Sequence, residues 1–317
     1  MRPGPPECRT DLQVRVLAKA ASPRFHDLDY PVRLGVPHPG VSRLLFDGPG
    51  YQIAEFHLPP GHARWGRLNY AGGNLIAFPR VPVRLGAPGM PTVVANSSSA
   101  YVFRAGQKYA RECVSSKGDQ SDVLLVADSI ADEIALPYDR AARGFSELCA
   151  LPVPDASYAE LRILIAEVRR VAHPDEKRVR ERVFGILRNI LETPVPTPEP
   201  RLGARARAAH REIVEGLKLA LGQRVGVQWS LDQMALKFGV TPAHLCRIFR
   251  EGTGTTIHAY RERLALRASL DPLGQGCRDI TELALDLGFS SHSHFTGRFR
   301  KYFGRSPSEM RTRLTGG

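Results

Sequence analysis

Cysteine is scarce and scattered: Cys8, Cys113, Cys149, Cys246 and Cys277 are odd in number and form no C-x-x-C pair. That pattern excludes a disulfide framework and a thiolate zinc site, and it fits a reducing cytoplasm. Long apolar runs are also missing. No stretch approaches the roughly 18 apolar residues of a membrane span, and the Pro-rich first ten or so residues carry no apolar core of a secretory leader. A Gly-rich phosphate loop, a G-x-S-x-G elbow and a Cys/His nucleophile context are absent as well. Without those signatures the chain is not expected to be an enzyme, and no cofactor is expected.

What is present is a folded composition, with 43% hydrophobic and 24% charged residues in 317, enough for two domains. The net charge of +12 is unevenly placed. Residues 201–317 hold 19 Lys+Arg against 10 Asp+Glu, a net of +9, and the remainder holds 25 against 22, a net of +3. The excess in one third of the chain points to a polyanionic partner for that third.

Three textures follow one another. Over residues 30–128 short apolar runs (51–58, 74–78, 92–95, 100–103 and 122–126) are separated by Gly and Pro, which predicts the strands of a sandwich or small barrel. Over 129–192 the period changes. Tyr158, Leu161, Leu164, Ile165, Val168 and Val171, then Val179, Val183, Ile186, Leu187 and Ile190, recur at helical spacing on either side of His173-Pro174. These two stripes either pack on the β zone or form a homodimer contact, and both readings stay open at this point. Four prolines in residues 193–200 then mark a linker within 193–204. The expected organisation is a multidomain chain: a mostly-β domain over 1–128, a helical region over 129–192, the linker, and an all-α domain over 205–317.

That last domain contains an internal repeat. Leu231, Ala235, Gly239 and Val240 match Ile280, Ala284, Gly288 and Phe289 at an offset of 49, and Leu245, Phe249, Arg250 and Gly254 match Phe295, Phe299, Arg300 and Gly304 at an offset of 50. Each copy reads as short helix, glycine turn and second helix. The small Ala235 and Ala284 allow close crossing, and Gly239 and Gly288 take the left-handed turn. Thr241, and Ser290 or Ser291, can cap the second helices, and the aromatic and leucine pairs at i, i+4 anchor them. One helix-turn-helix pattern is a weak signal because helix hairpins imitate it. Two copies joined by the helical stretch 257–270 are a strong one, since such a rod can hold two recognition helices about one DNA turn apart.

The stretch Ala284-Leu-Asp-Leu-Gly-Phe289, continuing through Phe295-Thr-Gly-Arg-Phe-Arg-Lys-Tyr-Phe-Gly304 to Ser306-Pro307 and Arg311, resembles the signature of AraC/XylS-type bacterial regulators. Leu231-Asp-Gln-Met-Ala235 and Arg247-Ile-Phe-Arg-Glu-Gly-Thr-Gly254 fit the first unit of the same domain. The resemblance covers 207–317. It implies a sequence-specific regulator of transcription that binds double-stranded promoter DNA, with a homodimer, a small-molecule effector and RNA polymerase as further partners.

By position, the resemblance puts base contacts on Ala243, Cys246 and Arg247 in the first unit and on His292, Ser293, Thr296 and Gly297 in the second. Gly297 stands where an arginine is common, with Arg298 beside it as a further base-contact candidate, so readout by the second helix is weaker or shifted. Arg247 is the strongest base-reading candidate, because a guanidinium bonds guanine O6 and N7 together. Arg250, Arg300 and Lys301 suit phosphates.

The resemblance further implies a cupin-like barrel for the β zone, with Phe56, Trp65, Tyr70, Phe78, Tyr101 and Phe103 as candidate ligand-lining residues that serve equally as core. His57 and His62 bracket a tight turn, but the tighter His-x-His of metal-binding cupins is absent, so no metal is expected. Cys113, beside Arg111, reads as a strand cysteine before a redox sensor. Two rival functions remain: a metal-dependent cupin-type enzyme with a DNA-binding tail, and an architectural DNA binder without an effector.

Overall fold

A computed structural model describes residues 41–128, 149–194 and 203–316. Most of the Pro-rich linker, the start of the 129–192 region and the first part of the 1–128 zone lie outside the described residues.

Among the described residues the β zone folds into nine strands: β1 (Ser42–Gly48), β2 (Tyr51–Leu58), β3 (Leu68–Tyr70), β4 (Asn74–Pro79), β5 (Val83–Gly86), β6 (Val93–Ala95), β7 (Ser99–Phe103), β8 (Lys108–Glu112) and β9 (Asp119–Val126). A tenth, β10 (Cys149–Pro152), comes from the region expected to be helical and pairs with β7. They form a six-stranded sheet in the order β1-β2-β9-β4-β7-β10 and a four-stranded sheet in the order β3-β8-β5-β6. Among the described residues the two sheets share no strand pair, so of the expected sandwich or small barrel these residues form two stacked sheets, with no closed barrel among them.

The large sheet is covered on both faces, which explains why its strands read as continuous apolar runs. Leu75, Ala77, Tyr101 and Phe103 face the small sheet. Their neighbours Ile76, Phe78, Ala100 and Val102 face the other way, with Tyr51, Ile53, Leu124 and Val126, against two helices. These are α1 (Asp155–Arg170) and α2 (Glu176–Glu192).

The two predicted helical stripes are consumed inside the chain. Tyr158, Leu161, Leu164, Ile165 and Val168 of α1, and Val179, Val183, Ile186, Leu187 and Ile190 of α2, are all buried. Val171, the last of the first stripe, is exposed beyond the end of α1. The open choice between packing and dimer contact therefore falls to packing for these faces. Helix α1 also buries Ser157, Ala159, Arg162 and Ile163, because it has the sheet on one side and the C-terminal helices on the other.

Those helices are α3 (Ala204–Gln223), α4 (Leu231–Lys237), α5 (Pro242–Thr253), α6 (Ile257–Ala268), α7 (Leu270–Gly274), α8 (Ile280–Asp286), α9 (His292–Phe303) and α10 (Pro307–Thr315). The repeat is realised as α4–turn–α5 and α8–turn–α9, with α6 as the rod between them. The two units are supported differently. The first has its own core, made by Val214 and Leu217 of α3, Met234 and Ala235 of α4, Leu245 and Phe249 of α5, and Tyr260 and Leu264 of α6. The second shares one continuous core with α1, α2 and the large sheet, running through Phe295, Phe299 and Phe303 to Leu161 and Leu164.

Polar contacts hold the β domain to the rod. Tyr260 Oη accepts from Asn96 Nδ2 at 2.8 Å and lies 3.0 Å from Ser98 Oγ. One turn further on, Arg263 Nε donates to Asp155 Oδ2 at 3.3 Å. Arg267, fully buried, donates from Nη2 to Asp155 Oδ1 at 2.6 Å and to the Val153 carbonyl at 2.6 Å, and also bonds the Ser97 carbonyl. No helix among the described residues is long and apolar enough to cross a membrane.

Continuity of the core across sheet, α1 and second unit makes a prediction. Leu164→Ala removes a fully buried side chain at their junction and lowers stability by about 2–5 kcal/mol. Denaturant unfolding followed by tryptophan fluorescence and by helical circular dichroism moves by the same amount; a shift in only one signal contradicts the shared core.

Candidate nucleic-acid interface

Each unit is assembled from local signals. Ser230 caps α4 through a capping box with Gln233, and Thr241 caps α5 by accepting from His244 N. Asp279 caps α8, accepting from the backbone N–H groups of Thr281 and Glu282, and these bonds hold its carboxyl below the usual range. Of the two serines available to cap α9, Ser291 does so, accepting from His294 N at 3.1 Å, while Ser290 Oγ bonds the His294 ring instead. The turns need their glycines: Gly239 and Gly288 have φ of 65° and 80°, and a Cβ on Gly288 would also stand 2.7 Å from the Gly226 carbonyl.

With Leu245, Ile248 and Phe249 buried, α5 turns Ala243, Cys246, Arg247 and Arg250 outward on one exposed face. The spacing i, i+3, i+4, i+7 is that of a single helical stripe. The Arg247 side chain is 53% exposed and reaches Glu251 at 2.9 Å, one turn along the same helix. An exposed pair of this kind contributes only about 0.3–0.5 kcal/mol, so a stronger acceptor displaces Glu251 readily.

In α9, Phe295, Phe299 and Phe303 are buried and stacked edge to face, with centroids 5.5 and 4.6 Å apart. His292, Ser293, Gly297, Arg300 and Lys301 are exposed on the remaining surface, and Thr296 is half-buried. Thr296 Oγ1 is buried with no hydrogen-bond partner among the described residues. Arg298, a base-contact candidate by sequence, instead turns back toward the rod, because the buried Glu262 carboxylate claims its guanidinium. Its Nε donates to Glu262 Oε1 at 2.5 Å, its Nη2 also bonds Glu262, and Tyr302 Oη donates to the same carboxylate at 2.8 Å. Burial pushes the Glu262 carboxyl upward, but these hydrogen bonds prevail and hold it below its ordinary value. His294 stacks against Phe289 at 5.5 Å and serves the fold of the unit.

The β-zone candidates do not converge. Phe78 faces the helices, whereas Tyr101 and Phe103 lie between the sheets, so no single cavity is lined by all six aromatics. Tyr101 donates to the Val94 carbonyl at 2.9 Å, and Phe103 packs on Tyr109 at 4.7 Å. Phe56 lies under the Arg111 guanidinium at 4.2 Å, Tyr70 near Lys108 at 5.8 Å, and Trp65 Nε1 donates to the Pro59 carbonyl at 2.8 Å. His57 is exposed on β2, and His62 Nδ1 accepts from Arg64 N inside its own turn. Among the described residues no group of three His, Cys, Asp or Glu is placed to hold a metal. Arg111 is spent on Asp119 at 2.7 Å rather than on Cys113, whose thiol burial pushes up. That shift reduces the thiolate a redox sensor needs.

Sequence reasoning missed the interdomain groups Arg162, Arg267 and Asp271. The available signal was an arginine inside an apolar helical run, Leu161-Arg-Ile163 and Leu266-Arg-Ala268.

A family model described as a helix-turn-helix domain matches residues 234–313. The regulatory protein SoxS of Escherichia coli strain K12 is 34% identical over 107 residues, which span 33% of this chain and 99% of SoxS. The HTH-type transcriptional regulator GlxA of Rhizobium meliloti is 42% identical over 81 residues, 25% of this chain and 25% of that one. A solved transcriptional regulator with an AraC-type DNA-binding domain, from Chromobacterium violaceum, is 28% identical, with a TM-score of 0.30 over 36% of this chain and 100% of that one.

Position 297 yields a direct test. A Cβ added there meets nothing within 4 Å, and glycine inside a helix costs about 0.5–1 kcal/mol relative to alanine. Gly297→Ala raises the unfolding free energy by that amount; an unchanged or lowered value in chemical denaturation would show that the helix depends on glycine for another reason.

Proposed function

Since the chain belongs to the AraC-type family of helix-turn-helix transcriptional regulators, we propose that it reads promoter DNA by laying α5 and α9 in successive major grooves on one face of the duplex. The observation that carries this reading is the pairing of two like units on one rod. Each presents an exposed second-helix face, with Arg247 and Arg250 on one and Arg300 and Lys301 on the other.

The two units do unequal work. Arg247 is exposed and, among the described residues, pairs with Glu251 one turn along its own helix, which leaves it able to turn to a guanine. Arg298 is held by Glu262 on the rod, and its role is to position α9. The second unit then contributes phosphate contacts from Arg300 and Lys301 and lesser base contacts from His292, Ser293 and Thr296. Ala243 and Cys246 offer contact with a thymine methyl.

Response to an effector belongs to the same reading, supported by the grip of the β domain on α6 through Tyr260 and Arg267. A change in that grip alters how the second unit is presented, a population shift between two arrangements. A homodimer uses a surface other than the α1 and α2 stripes, which are covered. RNA polymerase at the bound promoter and a cytoplasmic setting complete the proposal.

Selection of binding sites from random DNA by the full chain is the test. It yields one motif with two parts about 10 base pairs apart, one turn of about 34 Å. Arg247→Ala relaxes preference at one position of the motif, by about 1–3 kcal/mol. Arg300→Ala and Lys301→Ala each reduce the slope of log affinity against log salt by about 1 and leave the motif unchanged. Enrichment of no motif, or of a motif indifferent to Arg247, counts against the reading.

A further inference from the structure

A cleft of about 340 Å³ opens between the β domain and the second helix-turn-helix unit. Arg80, from the turn after β4, and Arg162, Arg169 and Arg170 of α1 line it on one side, and Asp271 of α7 lines it on the other. Ile165, Leu270 and Leu314 supply apolar wall. The volume lies at the lower end of the roughly 300–1,000 Å³ range of small-molecule sites.

Among the described residues the charge in and behind this cleft is in positive excess. Among those residues, the four guanidinium groups of Arg80, Arg162, Arg169 and Arg170 stand against the three carboxylates of Glu55, Asp122 and Asp271. Arg162 donates to the fully buried Asp122 at 2.9 Å and to Asp271 at 2.5 Å. Arg80 stands 3.5 Å from Asp271 and 3.8 Å from both Glu55 and Asp122, and Arg169 pairs with Glu55. Arg170 donates from Nε to the Ala166 carbonyl at 3.1 Å, and its guanidinium packs against Gly316. Nε of Arg80 and Nε of Arg162 are buried with no acceptor among the described residues. Burial also draws the Arg169 guanidinium below its usual pKa despite Asp271, and neighbouring Arg43 adds to the effect. Buried donors without acceptors are costly, and an anion in the cleft relieves that cost.

We propose that this cleft binds a small organic anion, a carboxylate or phosphate on an apolar body, that competes with Asp271 for Arg162 and Arg80. Asp271 belongs to the DNA-binding half, immediately after the rod, and its partners belong to the sensing half. An anion that takes over those arginines loosens the hold of α1 on α7. Coupling to DNA affinity then follows, and by linkage it is reciprocal. The inference rests on the reading of the chain as a regulator only for this last step; anion binding itself does not depend on it.

Titration calorimetry on the full chain with inorganic phosphate, succinate and hexanoate tests it. The phosphate and carboxylate arms separate the two head-group chemistries, and hexanoate against succinate reports the value of an apolar body. At least one probe binds saturably, and Arg169→Ala/Arg170→Ala, which leaves Arg162, Asp122 and Asp271 in place, weakens that binding at least tenfold. Arg170→Ala alone weakens it in the same sense and covers the case in which the double variant does not fold. Saturating anion changes affinity for the selected DNA about fivefold or more. If none of the three probes binds to a chain that still binds its DNA, the cleft proposal is wrong and the regulator reading stands. Binding that persists undiminished in both variants also overturns it, because the anion then sits elsewhere. Failure to select any DNA sinks the regulator reading, and the calorimetry still decides the cleft.

Discussion

The burial of one guanidinium, that of Arg267, constrains the placement of everything else in this chain. It sits at the C-terminal end of the rod α6, with a carboxylate, two backbone carbonyls and the ring of Tyr158, 4.6 Å from its centre, around it. Burial lowers its pKa below the usual arginine value, opposed by Asp155. A charge removed from water to this degree is tolerated only when its donors find acceptors, so the loop at Ser97, the strand end at Val153 and the start of α1 must all meet α6 at one register. Such a pair contributes less to stability than to uniqueness of docking, and what it docks here is a β domain onto the rod between two helix-turn-helix units.

The consequence is a division of labour that the repeat itself does not suggest. The first unit closes its own core around Phe249 and Tyr260, whereas the second extends a core that begins in the large sheet. The β domain therefore reaches both units, the second through shared apolar packing and the first through Asn96 on Tyr260 and Val94 N on Glu215. The arginines follow the same division: Arg247 is solvent-facing, and Arg298 is bound to Glu262 on the rod. The proposed anion cleft lies on the side where the β domain, α1 and the second unit converge, which is where a small ligand has most leverage.

Much of the DNA-binding half was legible because its determinants are local. Caps, left-handed glycines and i, i+4 aromatic pairs act within one or two turns, so Thr241, Gly239, Gly288, Phe295 and Phe299 announce their positions by spacing alone, whereas the Ser230 cap went unread. The β half was less legible. Alternation along β4 and β7 places Ile76 and Phe78 on one face and Tyr101 and Phe103 on the other, but a run that is apolar at every position does not say which face meets helices and which meets strands. For the same reason six aromatics that could have lined one cavity are split between two layers, and strands that could have closed a barrel form two sheets.

The amino-acid sequence by itself determined the doubled helix-turn-helix, its glycine turns, the outward stripe of α5 and the concentration of positive charge in the last third of the chain. Each of those depends on interactions between near neighbours. Only the tertiary structure decided that the two stripes of α1 and α2 face inward, that Arg298 pairs with Glu262, and that Arg80, Arg162, Arg169 and Arg170 gather beside Asp271. Those outcomes join residues up to 191 positions apart, as Arg80 and Asp271 are. They are set by the desolvation of charges and the packing of whole layers, quantities that no local spacing encodes.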